Sequence, residues 1–363
     1  TSYPAHKLQR LGHTSWSLAE IAWQDGPYLD ENATTTTITA GAATGLGVTF
    51  TASAITGINN NTGFQTTDIG RLIRLTGATV NWGWGIIVGR TSTTVVTVDI
   101  RRSVVSIAAE TKWRLGAWSA TSGYPGTGTF YQQRLAGANT TDKPNTFWAS
   151  QTSDFENQAP DSPTAAGVWS GTVEDDDALD YTISSDDVDA IRWMSSGKGA
   201  LVLGTVGGEW IAASTGAVIT PLDVVVNSAT GHGSANVQSL RIGNVVLFVQ
   251  KAARTVREFI FNYEVDGYQA ASMTRLAEHI ARGGIVEMDY AEEPNALVWP
   301  VRSDGVLLSM TYRREEDVVG WARHVLGGSF GAGAAVVDSV AVIPGTAGAG
   351  QVQSSVDRDE VWL

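Results

Sequence analysis

The side chains most able to do chemistry are carboxylates, because the chain has 37 acidic residues. Two carboxylates that face one sugar ring can hydrolyse a glycosidic bond, one as the acid and the other as the base or nucleophile. Glu209, which stands beside Trp210, and Asp304 are the candidates for such a pair. Asp304 is also explained by its Asp-Gly turn, and no cluster of arginines for the carboxylate of a sialic acid is evident along the sequence.

Histidines and an acidic run are the candidates for metal ligands. The five histidines are His6, His13, His232, His279 and His324. No two of them have the spacing of metal ligands, so we expect packing or surface roles. The run Asp175–Asp177 beside Glu174 could hold calcium in a loop, but it lacks the glycine and the spaced carboxylates of an EF-hand and predicts a solvated turn. No catalytic, cofactor-binding or metal-binding residue is predicted.

Recurring tryptophans and glycine-rich pieces are better explained by structure than by a ligand. Tryptophans occupy comparable places in successive parts of the chain, and they are Trp148, Trp193, Trp210, Trp299 and Trp321. A ladder for stacking sugars is one interpretation, and packing within a sheet is the one we favour. The glycine-rich pieces 123–128, 204–208 and 327–333 match no phosphate-binding fingerprint, and they predict turns between strands.

The elements that would position these residues are strands. The 363 residues include 40 Gly and 13 Trp, with hardly any long helical pattern, which favours an all-β protein. Without cysteine, disulfides and thiolate zinc sites are excluded. The net charge of −13 argues against a nucleic-acid binder, and no apolar run is long enough to predict a membrane span. The chain begins without Met or signal peptide, and we expect it to be an excerpt or a processed product.

A repeat of about 50 residues runs through the second two thirds of the chain, and periods of this length predict a propeller or an array. Runs of alternating apolar residues open at Phe130, Val188, Val237, Ile285 and Val336. Within a unit the second strand is the most apolar, as expected for an inner strand buried on both faces. We therefore predict a β-propeller-like array of four-stranded blades over 121–363, whose unfinished last blade could be completed by the first strands at 1–30.

The clearest unit covers 274–328. Met273, Leu276, Ala277 and Ile280 predict one or two helical turns that stop at two glycines. Predicted strands follow at 285–290, 298–301, 306–312 and 318–325, and Gly305 should take a left-handed conformation in the hairpin between the second and the third. For residues 1–30 we predict one extended piece with a bulge.

Residues 31–120 differ from the rest in composition. They are rich in Thr and Gly, and short strands are predicted at 72–75, 85–88 and 94–100, which suits a small SH3-like β-barrel. Because this module interrupts the larger domain, we interpret it as an insertion whose removal leaves the propeller folded. The motifs around Asp68 and Trp82 resemble the FCCH-like module of phage proteins, which is similar to a domain of ubiquitin-activating enzymes. That likeness implies a fold and no ubiquitin chemistry.

Three motifs carry a second resemblance: L-A-E-H before G-I-V-E-M, W-P-V-R-S-D-G-V-L, and V-V-G-W-A-R-H. In this order, and with the piece 129–157, they resemble the tail nozzle proteins (tail tubular protein B family) of short-tailed bacteriophages and prophages. The resemblance implies a structural subunit of a virion tail, made in the host cytoplasm, with no enzymatic activity. Its implied partners are further copies in a homo-oligomeric ring, a hexamer by the resemblance, an adaptor protein, and tail fibre or tip proteins. DNA would pass through without being bound specifically, and no membrane insertion is expected.

Two other functions remain open. One is a propeller glycosidase or depolymerase acting on host polysaccharide, which needs converging carboxylates in a cleft. The other is a sugar-binding adhesin, for which binding of glycans by the chain would decide.

Overall fold

The computed structural model describes residues 3–184, 189–330, 333–344 and 358–363. It confirms the predicted fold class: the chain is an all-β protein with a β-propeller-like array of four-stranded blades and an inserted SH3-like barrel. The chain divides into two compact units. The first consists of Thr1–Val188 and Ala213–Val225, and the second consists of Asp189–Ala212 and Val226–Leu363. Val188 and residues 345–357 of the last predicted repeat lie outside the described residues. Within the described part, no helix has the length and apolar character of a bilayer span.

The first residues form a hairpin. Strand β1 (His6–Arg10) pairs with β2 (Trp16–Glu20), so the prediction of one extended piece with a bulge was wrong. The reason is the turn between them, in which the backbone N–H of Leu11 donates to the Ser15 carbonyl oxygen at 2.9 Å. The polar segment 12–15 was the missed signal.

The inserted barrel is one seven-stranded sheet. Its strands are β3 (Ile38–Ala40), β4 (Val48–Ala52), β5 (Leu72–Leu75), β6 (Gly83–Arg90), β7 (Val95–Arg102), β8 (Ala109–Glu110) and β9 (Trp113–Leu115), with a 3-10 turn at Thr66–Asp68. Because β8 pairs with β3 and the adjacent β9 pairs with β5, residues 109–115 close the sheet. Alternating apolar residues such as Ile38, Phe50 and Val98 fill the interior. The three strands predicted within 31–120 are all present.

Two ion pairs, one buried and one partly buried, bind the barrel to residues outside it. Arg74 pairs with Asp161, and Arg102 pairs with Asp25. That the barrel can be removed stays a prediction, and removal would leave these two carboxylates without their arginines.

Four blades follow the barrel, each with its strands in sequence order. Their strands are β10 (Thr127–Tyr131), β11 (Arg134–Ala138), β12 (Thr146–Ala149), β13 (Leu179–Thr182), β14 (Ile191–Ser196), β15 (Leu201–Thr205), β16 (Glu209–Ala213), β17 (Val225–Thr230), β18 (Leu240–Ile242), β19 (Val245–Val249), β20 (Val256–Asn262), β21 (Gly267–Ser272), β22 (Ile285–Ala291), β23 (Leu297–Arg302), β24 (Leu307–Arg313) and β25 (Val318–His324). Every residue of β15 and of β19 is buried, as predicted for the second strand of a blade, whereas β23 alternates between buried and partly buried residues over most of its length.

The fourth blade confirms the prediction made for 285–325, but the helix expected before it does not form. Residues 274–284 are successive turns, in which Ala277 N–H bonds the Thr274 carbonyl and Ile280 N–H bonds that of Ala277, both at 2.9 Å. Leu276 is almost fully exposed, so the apolar spacing marked no buried helical face. A second 3-10 turn, Arg314–Glu316, links β24 to β25.

Shorter sheets end the chain. They consist of β26 (Ser329–Phe330) with β27 (Gly333–Ala334), and β28 (Ala341–Ile343) with β29 (Glu360–Trp362). Carboxylates hold β28 beside β22, since the N–H groups of Val340 and Val342 donate to Glu287 at 3.2 Å and Asp289 at 2.6 Å. In the described residues β28 pairs only with β29 and β1 only with β2, so completion of the last blade by 1–30 stays a prediction.

The left-handed conformation predicted for Gly305 is confirmed by its φ of +76°. A Cβ atom there would lie 2.4 Å from Cβ of Val336. We expect Gly305→Val to lower the free energy of unfolding by about 1–3 kcal/mol, from backbone strain and this clash. Denaturant unfolding measures the loss.

Gly243 provides the matched control for that substitution. It stands in the turn between β18 and β19 at a φ of +57°, with open space where its Cβ would be. Gly243→Val should therefore lower the free energy of unfolding through backbone strain only. Equal losses in the two variants would show that the contact with Val336 has no effect.

Candidate functional site

The first unit contains a cavity of about 480 Å3 between the barrel wall and the long segment that joins β12 to β13. Strands β5 and β9 supply Arg74 and Arg114, and the residue before β6 is Trp82. The long segment supplies Asp161, and β13 supplies Asp180. We call this space the Arg74 cavity. Its polar residues alternate with apolar ones along the strands, so the barrel places them on one wall.

A buried ion pair forms one side of the Arg74 cavity. Arg74 and Asp161 are each 1% exposed, and Arg74 Nη2 donates to Asp161 Oδ1. Among the described residues, Asp161 Oδ2 and Arg74 Nε have no hydrogen-bond partner. Burial raises the pKa of Asp161, although Arg74 opposes the rise. Buried polar groups without partners are costly, so each of these two atoms carries a desolvation penalty.

Aromatic rings hold the guanidinium of Arg74 in place. Its Cζ lies 4.8 Å from the ring centre of Trp82 and 5.6 Å from that of Tyr28. Trp82 is anchored by its backbone N–H, which donates to the Trp169 carbonyl oxygen at 2.9 Å. The barrel and the long segment therefore fix the cation and the indole together.

A second pair of charges lines the Arg74 cavity, because Arg114 lies directly across from Arg74 in the β5–β9 pairing and Asp180 lies on β13. Asp180 is exposed in the cavity, where desolvation by the surrounding protein raises its pKa and Arg114 opposes the rise. Arg114 is oriented by its Nε, which donates to the Leu29 carbonyl oxygen at 2.8 Å. With Glu31 and Lys112, the lining has three carboxylates and three cations, so its formal charge is balanced although the chain has a net charge of −13.

No cluster of arginines was evident along the sequence, whereas the structure brings three arginines together. Arg74 and Arg114 both lie within 6 Å of the Tyr28 ring, and Arg102 stacks on Trp169 at 3.3 Å. These arginines are far apart in sequence and meet because β5, β7 and β9 belong to one barrel. The signal that could have found them is an arginine inside an apolar strand, as in Leu72–Leu75.

Tyr28 at the centre of these arginines is unsuited to nucleophilic attack. Its hydroxyl donates to Asp25 Oδ1 at 2.7 Å, and burial raises the pKa of the phenol well above its ordinary value. A neutral phenol is a weak nucleophile, so the arrangement disfavours a tyrosine-based glycosidase.

The two carboxylates proposed from the sequence have other roles. Glu209 is fully buried on β16, where its oxygens accept hydrogen bonds from the Thr230 and Ser234 hydroxyls and the His232 N–H. Burial raises its pKa despite these bonds. Asp304 pairs with Arg302 at the exposed hairpin turn, as its Asp-Gly signal indicated. Neither lines the Arg74 cavity.

The acidic run is partly buried, which the sequence did not predict. Asp177 is 0% exposed, and its carboxylate accepts from Gln151 Nε2, the Ser162 hydroxyl and the Glu174 N–H. The prediction of a solvated turn is therefore wrong for Asp177. Within the ranges that the structure describes, no group of three or more acidic and histidine side chains could hold a metal ion.

Three of the recurring tryptophans pack within the protein, as predicted. Trp148 and Trp193 are 2% and 0% exposed, so neither can stack a sugar. Trp321 is half-buried, and its indole N–H donates to the Met273 carbonyl oxygen at 2.8 Å. The predicted packing role is confirmed for these residues.

Comparison with known proteins gives a fold likeness only. No protein-family model matches the chain, and no curated protein matches it either. A solved structure of Sqt1 from Chaetomium thermophilum is 11% identical, with 86% of this chain and 67% of that one covered at a TM-score of 0.34. An auxiliary nutrient binding protein from Bacteroides thetaiotaomicron is 9% identical, with 80% and 70% covered at a TM-score of 0.32. A protein from Lactobacillus plantarum is 10% identical, with 81% and 82% covered at 0.33.

These findings correct the interpretation as a tail nozzle protein, which was wrong. The three solved structures named above come from bacteria and a fungus, and none of them is a tail nozzle protein. The motifs that carried the resemblance lie mainly in 274–328, where they form a hairpin-rich blade. Turn and strand signals of that kind recur wherever a four-stranded blade forms. The ring, the adaptor, the fibre or tip proteins and the virion location were inferred from the same resemblance, and they stay predictions.

Proposed function

We propose that the chain is a saccharide-binding protein, which takes a neutral sugar in the Arg74 cavity without catalysis. One observation carries the proposal: the exposed carboxylate of Asp180 and the guanidinium of Arg114 line a polar cavity of about 480 Å3. The hydroxyl groups of a sugar both donate and accept hydrogen bonds, and Arg114 and Asp180 supply the matching donors and acceptors. Cavities of this size hold ligands of one or a few rings.

The charge balance favours a neutral sugar over an acidic one. Each hydroxyl group can donate one hydrogen bond and accept two, so it matches a lining that mixes carboxylates with guanidinium and ammonium groups. A uronate or sialate would gain from Arg74, Lys112 and Arg114 but would be repelled by Glu31, Asp161 and Asp180. A neutral polyol is not subject to this repulsion.

Glycoside hydrolysis is the second candidate, and one observation favours it. Asp161 and Asp180 line the same cavity, and the pKa of each is raised by desolvation, as suits a general acid. Asp161, however, is bonded to Arg74 and fully buried, whereas a base or nucleophile must reach the sugar. Binding alone therefore accounts better for the geometry.

The test is a panel of neutral and acidic oligosaccharides, first on a glycan array and then by calorimetry. We expect a neutral oligosaccharide to bind and Asp180→Asn to weaken it about tenfold or more, because the exposed carboxylate accepts from the sugar. Lys112→Gln, at an equally exposed place, should weaken it less. Glu264 lies on the exposed β20–β21 turn outside the cavity, so Glu264→Gln should leave saccharide affinity unchanged.

Other outcomes separate the alternatives. Selective binding of acidic sugars would overturn the neutral class, and no retained glycan would overturn the proposal. Release of reducing sugar that disappears in Asp180→Asn would establish hydrolysis instead.

A further inference from the structure

A second cavity, of about 230 Å3, lies in the first unit and shares no lining residue with the Arg74 cavity. Residues from the end of β2 onwards form one side, with Glu20 and Trp23. Residues after the barrel form the other, with Trp118 and Tyr124. We call this space the Trp23 cavity. It is smaller than the sites that hold drug-sized ligands, which run from about 300 to 1,000 Å3, so it suits a single headgroup.

Indole rings at steep angles form the wall of the Trp23 cavity. The ring centres of Trp23 and Trp118 are 4.6 Å apart with planes at 70°. Behind them, Trp148 stands 5.9 Å from Trp118 at 84°. Trp118 and Trp148 are buried, so their edges brace the front ring, while Trp23 is half-buried beside the opening. Such an arrangement presents an electron-rich surface that cannot rearrange easily.

The charge at the Trp23 cavity has one sign. Glu20 is the charged side chain that lines it in the described part of the chain, and no lysine or arginine does so. Glu20 is exposed at the end of β2, close enough for its charge to add to the desolvation that raises the pKa of Tyr124. The remaining lining is apolar or backbone, and it includes Ile21, Leu72 and Ile86. The environment is thus aromatic, weakly polar and negative.

We propose that the Trp23 cavity binds a quaternary ammonium group, such as the trimethylammonium end of a choline-type ligand. A cation over indole and phenol faces gains about 0.5–2 kcal/mol per contact, and Glu20 adds charge attraction. A primary ammonium has three N–H donors to satisfy, and one carboxylate cannot serve them all. A trimethylammonium group has no N–H donor and a weak hydration shell, so it loses little on entering an apolar aromatic space.

The decisive measurement compares choline with 3,3-dimethylbutan-1-ol, its uncharged analogue of the same shape, by calorimetry on the whole chain. We expect choline to bind with a dissociation constant of about 1 mM or tighter, and the neutral alcohol about tenfold more weakly. Equal binding of both compounds would show a merely apolar pocket and overturn the proposal. Absence of choline binding at about 10 mM would also overturn it.

Variants assign the binding to named side chains. Glu20→Gln should weaken choline binding about fivefold at low salt and remove most of its salt dependence. Trp23→Leu should weaken choline more than the neutral alcohol. Glu20 is exposed, so Glu20→Gln keeps the test decisive if Trp23→Leu does not fold. Unchanged choline affinity in Glu20→Gln and in a folded Trp23→Leu would place the ligand elsewhere. Saccharide binding at the Arg74 cavity should persist in both variants, so the two proposals fail separately.

Discussion

Replacing Arg74 by methionine is expected to lower the free energy of unfolding by about 3–5 kcal/mol at pH 8, the range for breaking a buried ion pair. Methionine keeps much of the side-chain volume, so the loss comes mainly from Asp161, whose carboxylate would stay buried without its cation. Urea unfolding at fixed pH measures this loss. Arg313→Met removes an exposed pair with Glu316 and should change stability by no more than about 1 kcal/mol.

The pH dependence of the Arg74→Met variant gives a second check. Asp161 already has a raised pKa, and loss of Arg74 should raise it further. A carboxylate with a raised folded pKa contributes stability below its unfolded value, near 3.9, and this contribution is lost as pH rises through the folded pKa. The variant should therefore lose less stability at pH 5 than at pH 8. An equal loss at both values would mean that Asp161 finds another partner.

Gly204→Ala is expected to lower the free energy of unfolding by about 3 kcal/mol, at the upper end of the range for overpacked cores. Gly204 on β15 pairs with Trp193 on β14, and a Cβ atom there would lie 2.1 Å from Cε2 of that indole. Trp193 is fully buried and packs on Phe248, so the ring cannot move aside. Calorimetric or denaturant unfolding measures the loss.

Two further variants make the test of Gly204 specific. Gly320 is also inside a strand, β25, but nothing lies within 4 Å of its added Cβ, so Gly320→Ala should be neutral or slightly stabilising. Combining Gly204→Ala with Trp193→Leu should cost less than the sum of the two single losses, since the smaller side chain removes the clash. Additive losses would show that the indole is not what forbids a side chain at Gly204.

Much of the fold could be read from local signals. The Asp-Gly turn at Gly305, the four strands of 285–325 and the short strands of the barrel are decided by alternation and turn residues, and all are present. A short and interrupted apolar pattern was misleading. The spacing that includes Leu276 predicted a helix, but the segment forms successive turns and Leu276 is exposed. The same limit explains the tail nozzle error, because blade-forming motifs describe strands and turns rather than an activity.

The sequence by itself determined that the chain is all-β, acidic and built from repeats of one blade with a barrel inserted. These properties depend on residue type and on spacing within a few positions. The tertiary structure alone decided the sites. Arg74, Arg114 and Asp161 meet because barrel closure and the long β12–β13 segment join distant parts of the chain, and Trp23 meets Trp118 across the whole barrel insertion. Charge pairing and ring packing act through space between residues that are distant in sequence. Local sequence spacing therefore cannot predict them.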